Sequence, residues 1–209
     1  LKKKVSLKKV AGNFDQVYQR LGFIRKNLVS YSLRNSSVNF FETSYLVSYF
    51  SEFNSQTFWF PNVRRSGGKV RQGGYSQKFV FVGQVKATKG VFYILDAFKL
   101  IDESYTVDFY GPLEDEHFLA KCLALPNCKY KGVLAPAMVE ETIANYDVLL
   151  LPTFHLGEGY PGAILEAFSC SVPVIASNWG GIPEIVEDSI NGFIIPPKDV
   201  DSLKVSILK

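Results

Sequence analysis

Short apolar runs alternate with segments of helical periodicity from residue 78 to residue 209, and this alternation limits the fold more than any other feature. The apolar runs predict strands at Phe79–Val82, Thr106–Tyr110, Cys128–Tyr130, Val148–Leu151, Val172–Ala176 and Gly192–Ile195. Apolar residues at every third or fourth position predict helices at Gly90–Ile101, Asp115–Ala124, Ala137–Asn145, Pro161–Ser171, Ile182–Val186 and Asp199–Leu208. Strands that alternate with helices in this way form a parallel sheet covered on both faces. We therefore predict an α/β fold built on a doubly wound parallel sheet.

Residues 1–63 carry a weaker pattern, in which helical periodicity predominates. Phe14–Leu28 predicts one helix and Thr43–Phe53 a second, while Val38–Phe41 and Thr57–Phe60 predict two short strands. Because a complete domain of this type needs a larger sheet of its own, we expect these residues to be the remnant of an N-terminal domain. The last predicted helix, which ends one residue before Lys209, is likewise expected to be cut short.

The charge is divided unevenly along the chain. Residues 1–75 contain 13 Lys and Arg against three acids, whereas residues 76–209 contain 10 Lys, no Arg and 17 acids. Residues 64–77, RRSGGKVRQGGYSQ, contain four Gly and no apolar run, which is typical of a linker. We therefore predict a remnant domain at 1–63, a linker at 64–77 and a second domain at 78–209.

Composition restricts the class of protein. Hydrophobic residues make up 47% of the chain and charged residues 21%, which is typical of soluble globular proteins. No apolar stretch approaches the ~18 residues that a membrane-spanning helix needs. Cys122, Cys128 and Cys170 are odd in number and lack metal-ligand spacing, so we expect buried free thiols in a reducing compartment, the cytoplasm.

Several predicted strands end at a residue that suits a tight turn. Gly83, Gly111, Gly132 and Pro152 each follow a strand of the predicted sheet. In open parallel sheets, ligands bind outside the carboxyl ends of the strands. The sequence therefore places a candidate ligand site at this edge.

The segment from His155 to Ala167, HLGEGYPGAILEA, carries the densest chemistry. It joins a buried strand to a helix through a Gly-rich turn, so the free N–H groups of the helix N-terminus can bind an anion. Pro161 suits the first helical turn, where no N–H is needed. Glu158 in the turn and Glu166 within the helix can accept hydrogen bonds from sugar hydroxyls. Carboxylates on either side of an anion site suit a ligand with a phosphate in the middle and sugars at both ends.

At these residues the chain resembles the family 4 retaining glycosyltransferases, which have the two-domain GT-B fold with a Rossmann-like C-terminal domain. The resemblance covers about residues 78–209 and, more weakly, residues 38–62. Its centre is the E-x7-E motif formed by Glu158 and Glu166. The family's other segments occur in order and at its spacing: FVFVGQVKATKG at Phe79–Gly90, DFYG at Asp108–Gly111, YKGVL at Tyr130–Leu134, YDVLLLPT at Tyr146–Thr153, GGIPEIV at Gly180–Val186 and NGFIIPP at Asn191–Pro197.

The resemblance implies a role for each candidate residue. Glu158 is expected to hold hydroxyls of the donor sugar, Glu166 the ribose hydroxyls, and Lys89 the diphosphate. Glu158 and Lys89 are thus the catalytic candidates. The remaining donor-binding candidates are Gly83, Gln84, Lys86, Gly132, Val133 and Leu134, with the last three against the base, and Gly159, Tyr160, Pro161, Gly162 and Ala163 around the sugar and diphosphate. No metal or other cofactor is expected, because in this family Lys residues and helix dipoles stabilise the departing diphosphate.

One position departs from the family pattern. Gln84 stands where the family usually has Arg, and no Arg follows Arg71. The loss of one charge-assisted contact costs on the order of 2–3 kcal/mol. Either Lys86 replaces the missing cation or the donor site is weakened, and the sequence leaves both open.

The implied activity is transfer of a sugar from a nucleoside-diphosphate sugar, UDP first and GDP next, to a glycan or lipid-linked acceptor. Bacterial surface polysaccharide synthesis fits this activity. The alternative is a non-catalytic or degenerate nucleotide-sugar-binding module, which Gln84 favours. The absence of G-x-G-x-x-G after the first strand disfavours a dehydrogenase-like dinucleotide binder.

The Lys-rich start of the chain has two interpretations. LKKKVSLKKV holds five Lys in ten residues, and Arg20, Arg25 and Lys26 extend the charge. It is either a solvated helix face or a surface attracted to an anionic membrane, where each basic residue contributes about 1 kcal/mol. The second interpretation predicts peripheral binding at the cytoplasmic membrane face. Nucleic-acid binding is not predicted, because no recognition motif accompanies the charge.

Overall fold

The computed structural model describes residues 7–10, 12, 14–64 and 69–209, of which residues 7–9 are described by their backbone alone. The chain divides into two units. The first unit contains the residues up to Asn62 together with Leu156–Pro161 and Gly180–Ile185, and the second contains Val63–His155, Gly162–Trp179 and Val186–Lys209. Most of the predicted basic segment, Lys2, Lys3 and Lys4 included, lies outside the described residues.

The first unit is a small parallel sheet with three helices. Its elements are β1 (Leu7–Val10), α1 (Phe14–Gln19), α2 (Phe23–Arg34), β2 (Val38–Phe41), α3 (Ser44–Phe50) and β3 (Thr57–Trp59). The strands lie in the order β1-β2-β3, and both pairs are parallel. The core is mostly aromatic: the rings of Phe41 and Phe50 stack with centroids 5.0 Å apart, and Tyr18 meets Phe50 edge to face at 5.4 Å.

Two predictions for this unit are wrong. We predicted two strands, but Leu7–Val10 forms a third, with Leu7 opposite Val38 and Val10 opposite Phe41. The pairing partner lies far along the chain, so the local Lys-rich pattern does not reveal it. The single helix predicted from Phe14 to Leu28 is two helices, because the chain is extended at Gly22, which caps α2.

The second unit is a six-stranded parallel sheet. Its elements are β4 (Lys78–Val82), α4 (Val91–Phe98), β5 (Thr106–Tyr110), α5 (Glu116–Leu123), β6 (Cys128–Tyr130), α6 (Val139–Ile143), β7 (Val148–Leu151), α7 (Gly162–Ser169), β8 (Val174–Ser177), β9 (Gly192–Ile195) and α8 (Val200–Ile207). The strand order is β6-β5-β4-β7-β8-β9. Every pair is parallel. The predicted doubly wound α/β fold is confirmed, and the order reverses between β4 and β7.

Burial shows that both faces of this sheet are covered. All four residues of β8 are buried, as are the last three residues of β7, so side chains that point to opposite faces both avoid water. α4 contacts α5 and α8, and α6 contacts α7. A sheet covered in this way needs apolar residues at successive positions. Its strands therefore appear in the sequence as continuous apolar runs.

A buried carboxylate joins two strands at the amino-terminal edge of this sheet. Asp147, just before β7, accepts hydrogen bonds from the backbone N–H of Ser76 at 3.0 Å and of Lys78 at 2.8 Å. It also forms an ion pair with Arg71. Burial opposes ionisation of Asp147, but these hydrogen bonds outweigh it and lower the pKa of the carboxyl. The described part of the predicted linker is thereby tied to the second unit.

The three cysteines are free and buried, as predicted. Burial is the main cause that raises the pKa of the Cys122 thiol to about 11 and that of Cys128 to about 12. Thiols held in this protonated form are poor nucleophiles and poor metal ligands.

Candidate functional site

The carboxyl-terminal edge of the second unit's sheet is built from glycine turns. The Gly83 N–H donates to the Tyr110 carbonyl at 2.9 Å, and the Gly111 N–H donates to the Gly132 carbonyl at 2.9 Å. A Cβ at Gly111, where φ is +138°, would lie 1.8 Å from the Gly83 carbonyl oxygen. Only glycine allows this approach. The ends of β4, β5 and β6 are therefore held side by side, next to the point where the strand order reverses.

The loop after β4 contacts the loop after β7. Gly90, with φ +82°, lies so near that a Cβ would be 2.1 Å from the Pro152 carbonyl oxygen. The Phe154 N–H donates to the Thr88 carbonyl at 2.9 Å. The Thr88 hydroxyl lies 3.2 Å from Nδ1 of His155. These contacts join the loop after β4 to the loop after β7, and His155 takes part in them.

The structure brings two of the three predicted side chains of the first loop, Gln84 and Lys86, into contact. Lys86 Nζ donates to Gln84 Oε1 at 2.7 Å and lies 3.7 Å from Glu114 Oε2. Lys89 is half-buried and ends a short turn, Ala87–Lys89, directly before α4. The Gln84 amide thus accepts from an ammonium group, which holds Lys86 near the position where the family pattern has a cation.

The predicted base-binding loop follows β6. Gly132 has φ +82° and Val133 is 67% exposed. Leu134 is partly buried. The Val133 side chain is therefore accessible at the carboxyl-terminal edge, beside a glycine in the left-handed conformation. The loop lies beside Gly111, whose carbonyl accepts a hydrogen bond from the Tyr130 hydroxyl at 2.9 Å.

Helix α7 begins at Gly162 and carries two further candidates, Ala163 and Glu166. The Glu166 side chain is 20% exposed, and its Oε1 lies 3.0 Å from Nε of Arg64. A Cβ at Gly162 would lie 2.4 Å from Nη2 of the same arginine. Sequence reasoning did not select Arg64, because it stands in the predicted linker and no motif includes it.

Four predicted site residues, Glu158 to Pro161, belong to the first unit. Glu158 is only 4% exposed, and Tyr160 and Pro161 are buried as well. Glu42 holds this segment: its Oε1 accepts from the Tyr160 N–H at 3.3 Å and its Oε2 from the Gly12 N–H at 3.2 Å. A Cβ at Gly159 would lie 2.2 Å from Glu42 Oε2. Sequence reasoning missed Glu42, since a lone acid after a short strand gives no signal.

A second carboxylate of the first unit, Glu184, is bound at several points. It accepts from the Ser44 N–H at 2.8 Å, the Tyr45 N–H at 3.2 Å and the Tyr160 hydroxyl at 2.7 Å. Burial opposes ionisation of Glu184, yet these hydrogen bonds lower its pKa. Burial, followed by the contact with Glu184, raises the pKa of Tyr160 to about 12. Gly181 packs against Thr43 and Gly159, which indicates a packing turn.

The described residues contain neither a candidate metal cluster nor a candidate membrane span. No group of three or more His, Cys, Asp or Glu in residues 14–64 and 69–209 is arranged to hold a metal ion. Within the same ranges, no helix is long and apolar enough to cross a membrane.

Comparison with known families and sequences gives a consistent result. The family described as "Glycosyl transferases group 1" matches residues 76–209. The amylovoran biosynthesis glycosyltransferase AmsK of Erwinia amylovora is 27% identical over 145 residues, which are 63% of this chain and 35% of that protein. The O-antigen chain mannosyltransferase B of Escherichia coli is 37% identical over 81 residues, which are 39% of this chain and 20% of that protein. The match thus spans about a third or less of these relatives.

Solved structures share the fold at low sequence identity. The structure of Anabaena HepE in complex with UDP and glucose has a TM-score of 0.82 at 15% identity, and the match covers 99% of this chain and 61% of that one. A TarM structure from S. aureus, in a complex that contains UDP, has a TM-score of 0.82 at 14% identity, covering 99% of this chain and 44% of that one. The likeness establishes the GT-B type of fold.

Proposed function

Because the chain belongs to the group 1 glycosyltransferases, we propose that it binds a nucleoside-diphosphate sugar and that the sugar is transferred to a glycan or lipid-linked acceptor. The observation that carries this proposal is the crevice at the reversal of strand order, between the loops after β4 and β7. Doubly wound sheets bind nucleotides at this position. Its neighbours supply turns without side chains, the Lys89 ammonium and the N-terminus of α7, all of which suit a diphosphate.

The proposal keeps the residue roles that the family pattern implies. Glu166 accepts hydrogen bonds from the ribose, Val133 and its neighbours pack against the base, and Lys89 binds the diphosphate. Glu158 accepts hydrogen bonds from the donor sugar, and its burial suits a carboxylate that has to be held in one orientation. Lys89 and Glu158 act directly at the reacting groups.

The finer features of the reaction are part of the proposal. We infer transfer with retention of the anomeric configuration, as in the family 4 enzymes, with the leaving phosphate assisting deprotonation of the acceptor. UDP is the first candidate for the nucleotide and GDP the second. Stabilisation of the departing diphosphate is assigned to Lys89 and to backbone N–H groups, with no metal ion in the step.

A bacterial surface polysaccharide is the proposed setting, and one surface supports an acceptor at the cytoplasmic membrane face. On α2, Phe23 is 82% exposed, and Ile24, Leu28 and Tyr31 are also exposed. Arg25 lies on the same helix and Arg20 shortly before it, and both are exposed. Apolar and basic side chains on one helix suit the surface of an anionic bilayer. Co-sedimentation with anionic vesicles, abolished in a Phe23→Ser, Ile24→Ser double variant, tests this part.

Calorimetric titration with UDP, GDP and their glucose and mannose conjugates tests donor binding. We expect saturable binding that weakens about tenfold in Glu166→Gln, because the amide is a weaker acceptor for ribose hydroxyls. Glu103→Gln is the matched control, since Glu103 is exposed and precedes β5 at the opposite edge of the sheet. Failure of the folded wild-type chain to bind either nucleotide would overturn the proposal.

The second candidate is a nucleotide-sugar-binding module without catalysis. It is favoured by Lys86, whose ammonium is engaged by Gln84 and Glu114, since an engaged cation stabilises a leaving group less well. Transfer from a radiolabelled donor, assayed in the whole protein, separates the two candidates. Product with the donor's anomeric configuration, read from its proton coupling, supports the enzyme, whereas binding without turnover supports the module.

A further inference from the structure

Arg64 extends into the second unit's candidate site although it lies in the predicted linker. Its Nε donates to Glu166 Oε1 at 3.0 Å, and its Nη1 donates to the Val63 carbonyl at 3.3 Å. Its Nη2 lies against Gly162, where a Cβ would be only 2.4 Å away. The guanidinium thus lies against the first turn of α7, at a residue that has no side chain.

The position of this cation favours the binding of an anion. The N-terminus of a helix carries a partial positive charge, so a negative group placed between it and a guanidinium is attracted to both. Glu166 is one turn into α7 and engages the Nε edge. A phosphate at the first turn would be bound by both the helix N–H groups and the guanidinium, whose planar fork matches phosphate oxygens.

Two other cations of the second unit, Arg71 and Lys86, are engaged by other groups. Arg71 donates to the carbonyls of Tyr146, Gly73 and Gly74 and pairs with Asp147 at the far edge of the sheet. Lys86 lies between Gln84 and Glu114. Arg64 is thus placed to provide the guanidinium that position 84 lacks.

We propose that Arg64 binds the diphosphate of the nucleotide sugar and that Glu166 holds its guanidinium in place. This inference rests on the proposed function and deepens it. It gives Glu166 two tasks, to accept from the ribose and to orient the arginine, so that the ribose and the diphosphate are recognised by one connected pair. Arg64 is then a binding residue that compensates for Gln84.

The test compares UDP with uridine, or GDP with guanosine if GDP is the nucleotide that binds, by calorimetry of the full chain. Arg64→Gln should weaken binding of the diphosphate by on the order of ten- to a hundredfold and leave binding of the nucleoside unchanged. Arg64→Lys should recover part of the loss, because it restores the charge without the fork. Lys69→Gln is the matched control. It also removes one positive charge close to Arg64 in the sequence, but this charge belongs to an exposed ion pair with Glu141.

Each other outcome overturns the inference. Equal weakening of nucleotide and nucleoside would make Arg64 only a positioning residue for Glu166. Unchanged binding of both would make the pair a surface ion pair, as would an equal effect of Lys69→Gln. If the wild-type chain, folded by circular dichroism, binds neither UDP nor GDP, the proposed function itself fails, which is a distinct result.

Discussion

The two edges of the second unit's sheet use polar groups in opposite ways. At the amino-terminal edge, Asp147 is nearly inaccessible, and its carboxylate is bound by backbone N–H groups and by Arg71. At the carboxyl-terminal edge, Glu166, Lys86 and Lys89 are all partly accessible. The Glu166 carboxylate pairs with the Arg64 side chain, and the Lys86 ammonium with the side chains of Gln84 and Glu114. Side chains can exchange partners at a smaller cost than backbone groups, which are fixed by the strands.

We propose that this difference separates structural polar groups from those that bind a ligand. A carboxylate that is satisfied by the backbone stabilises the fold and has little left to offer a ligand. A polar side chain that is accessible and held by another side chain can bind a ligand without unfolding a strand. We therefore expect substitutions at the first edge to change stability and substitutions of side chains at the second to change affinity.

Substitution of Asp147 should have the largest effect. Asp147→Asn removes the charge that Arg71 and two backbone N–H groups bind, so we expect a loss of about 3 kcal/mol in the free energy of unfolding. Urea denaturation measures it. The affinity of the folded fraction for the nucleotide should stay unchanged. A variant with lower affinity and wild-type stability would contradict the proposed division between the two edges.

The same carboxyl predicts a pH dependence. Because its pKa is lowered in the folded state, its contribution to stability is complete above the pKa of an unfolded Asp, about 3.9, and is lost as the pH falls through the lower folded value. Urea midpoints of the wild type should therefore fall more steeply below pH 4 than those of Asp147→Asn. Parallel profiles would contradict the assignment.

The glycine turns at the carboxyl-terminal edge are an exception to this division. Their backbone conformation allows only glycine, so a substitution there should change stability. Gly111→Ala places a Cβ 1.8 Å from the Gly83 carbonyl oxygen at a positive φ, so we expect a loss of about 2 kcal/mol. Thermal unfolding measures it. Gly74→Ala, where a Cβ meets nothing within 4 Å, is the control and should change stability by less than about 0.5 kcal/mol.

Lys89 tests the same division through nucleotide affinity. Lys89→Gln should weaken UDP binding about tenfold, which corresponds to about 1.4 kcal/mol, and leave the urea midpoint within error. Fluorescence or calorimetric titration gives the affinity. A variant that loses stability and keeps its affinity would place Lys89 among the structural residues instead.

Gln84→Arg should have the smallest effect, which is an increase in nucleotide affinity. An added guanidinium in the first loop should strengthen UDP binding a few-fold, limited by competition with Lys86 for Glu114, and should leave uridine binding unchanged. The comparison of UDP with uridine by calorimetry checks it. No gain would indicate that Arg64 already meets the diphosphate's need for a cation.

The sequence predicted the second unit better than the first for a physical reason. In a sheet covered on both faces, each strand must be apolar at successive positions, and the tight turns that follow the strands require glycine. Both signals lie within short stretches of sequence, so they can be recognised without the tertiary structure. β1 escaped prediction because Leu7–Val10 is a strand only through its pairing with β2. The break at Gly22 was likewise hidden by helical spacing that continues through it.

The sequence by itself determined the doubly wound fold, the edge proposed as the ligand site and the candidate pair Glu158 and Glu166, since strand patterns and motif spacing are properties of neighbouring residues. Only the tertiary structure decided which residues support them. Glu42 holds the turn at Tyr160, and Arg64 reaches Glu166, across long sequence separations. Such contacts depend on where the fold brings distant segments together, and no local pattern of residues records that.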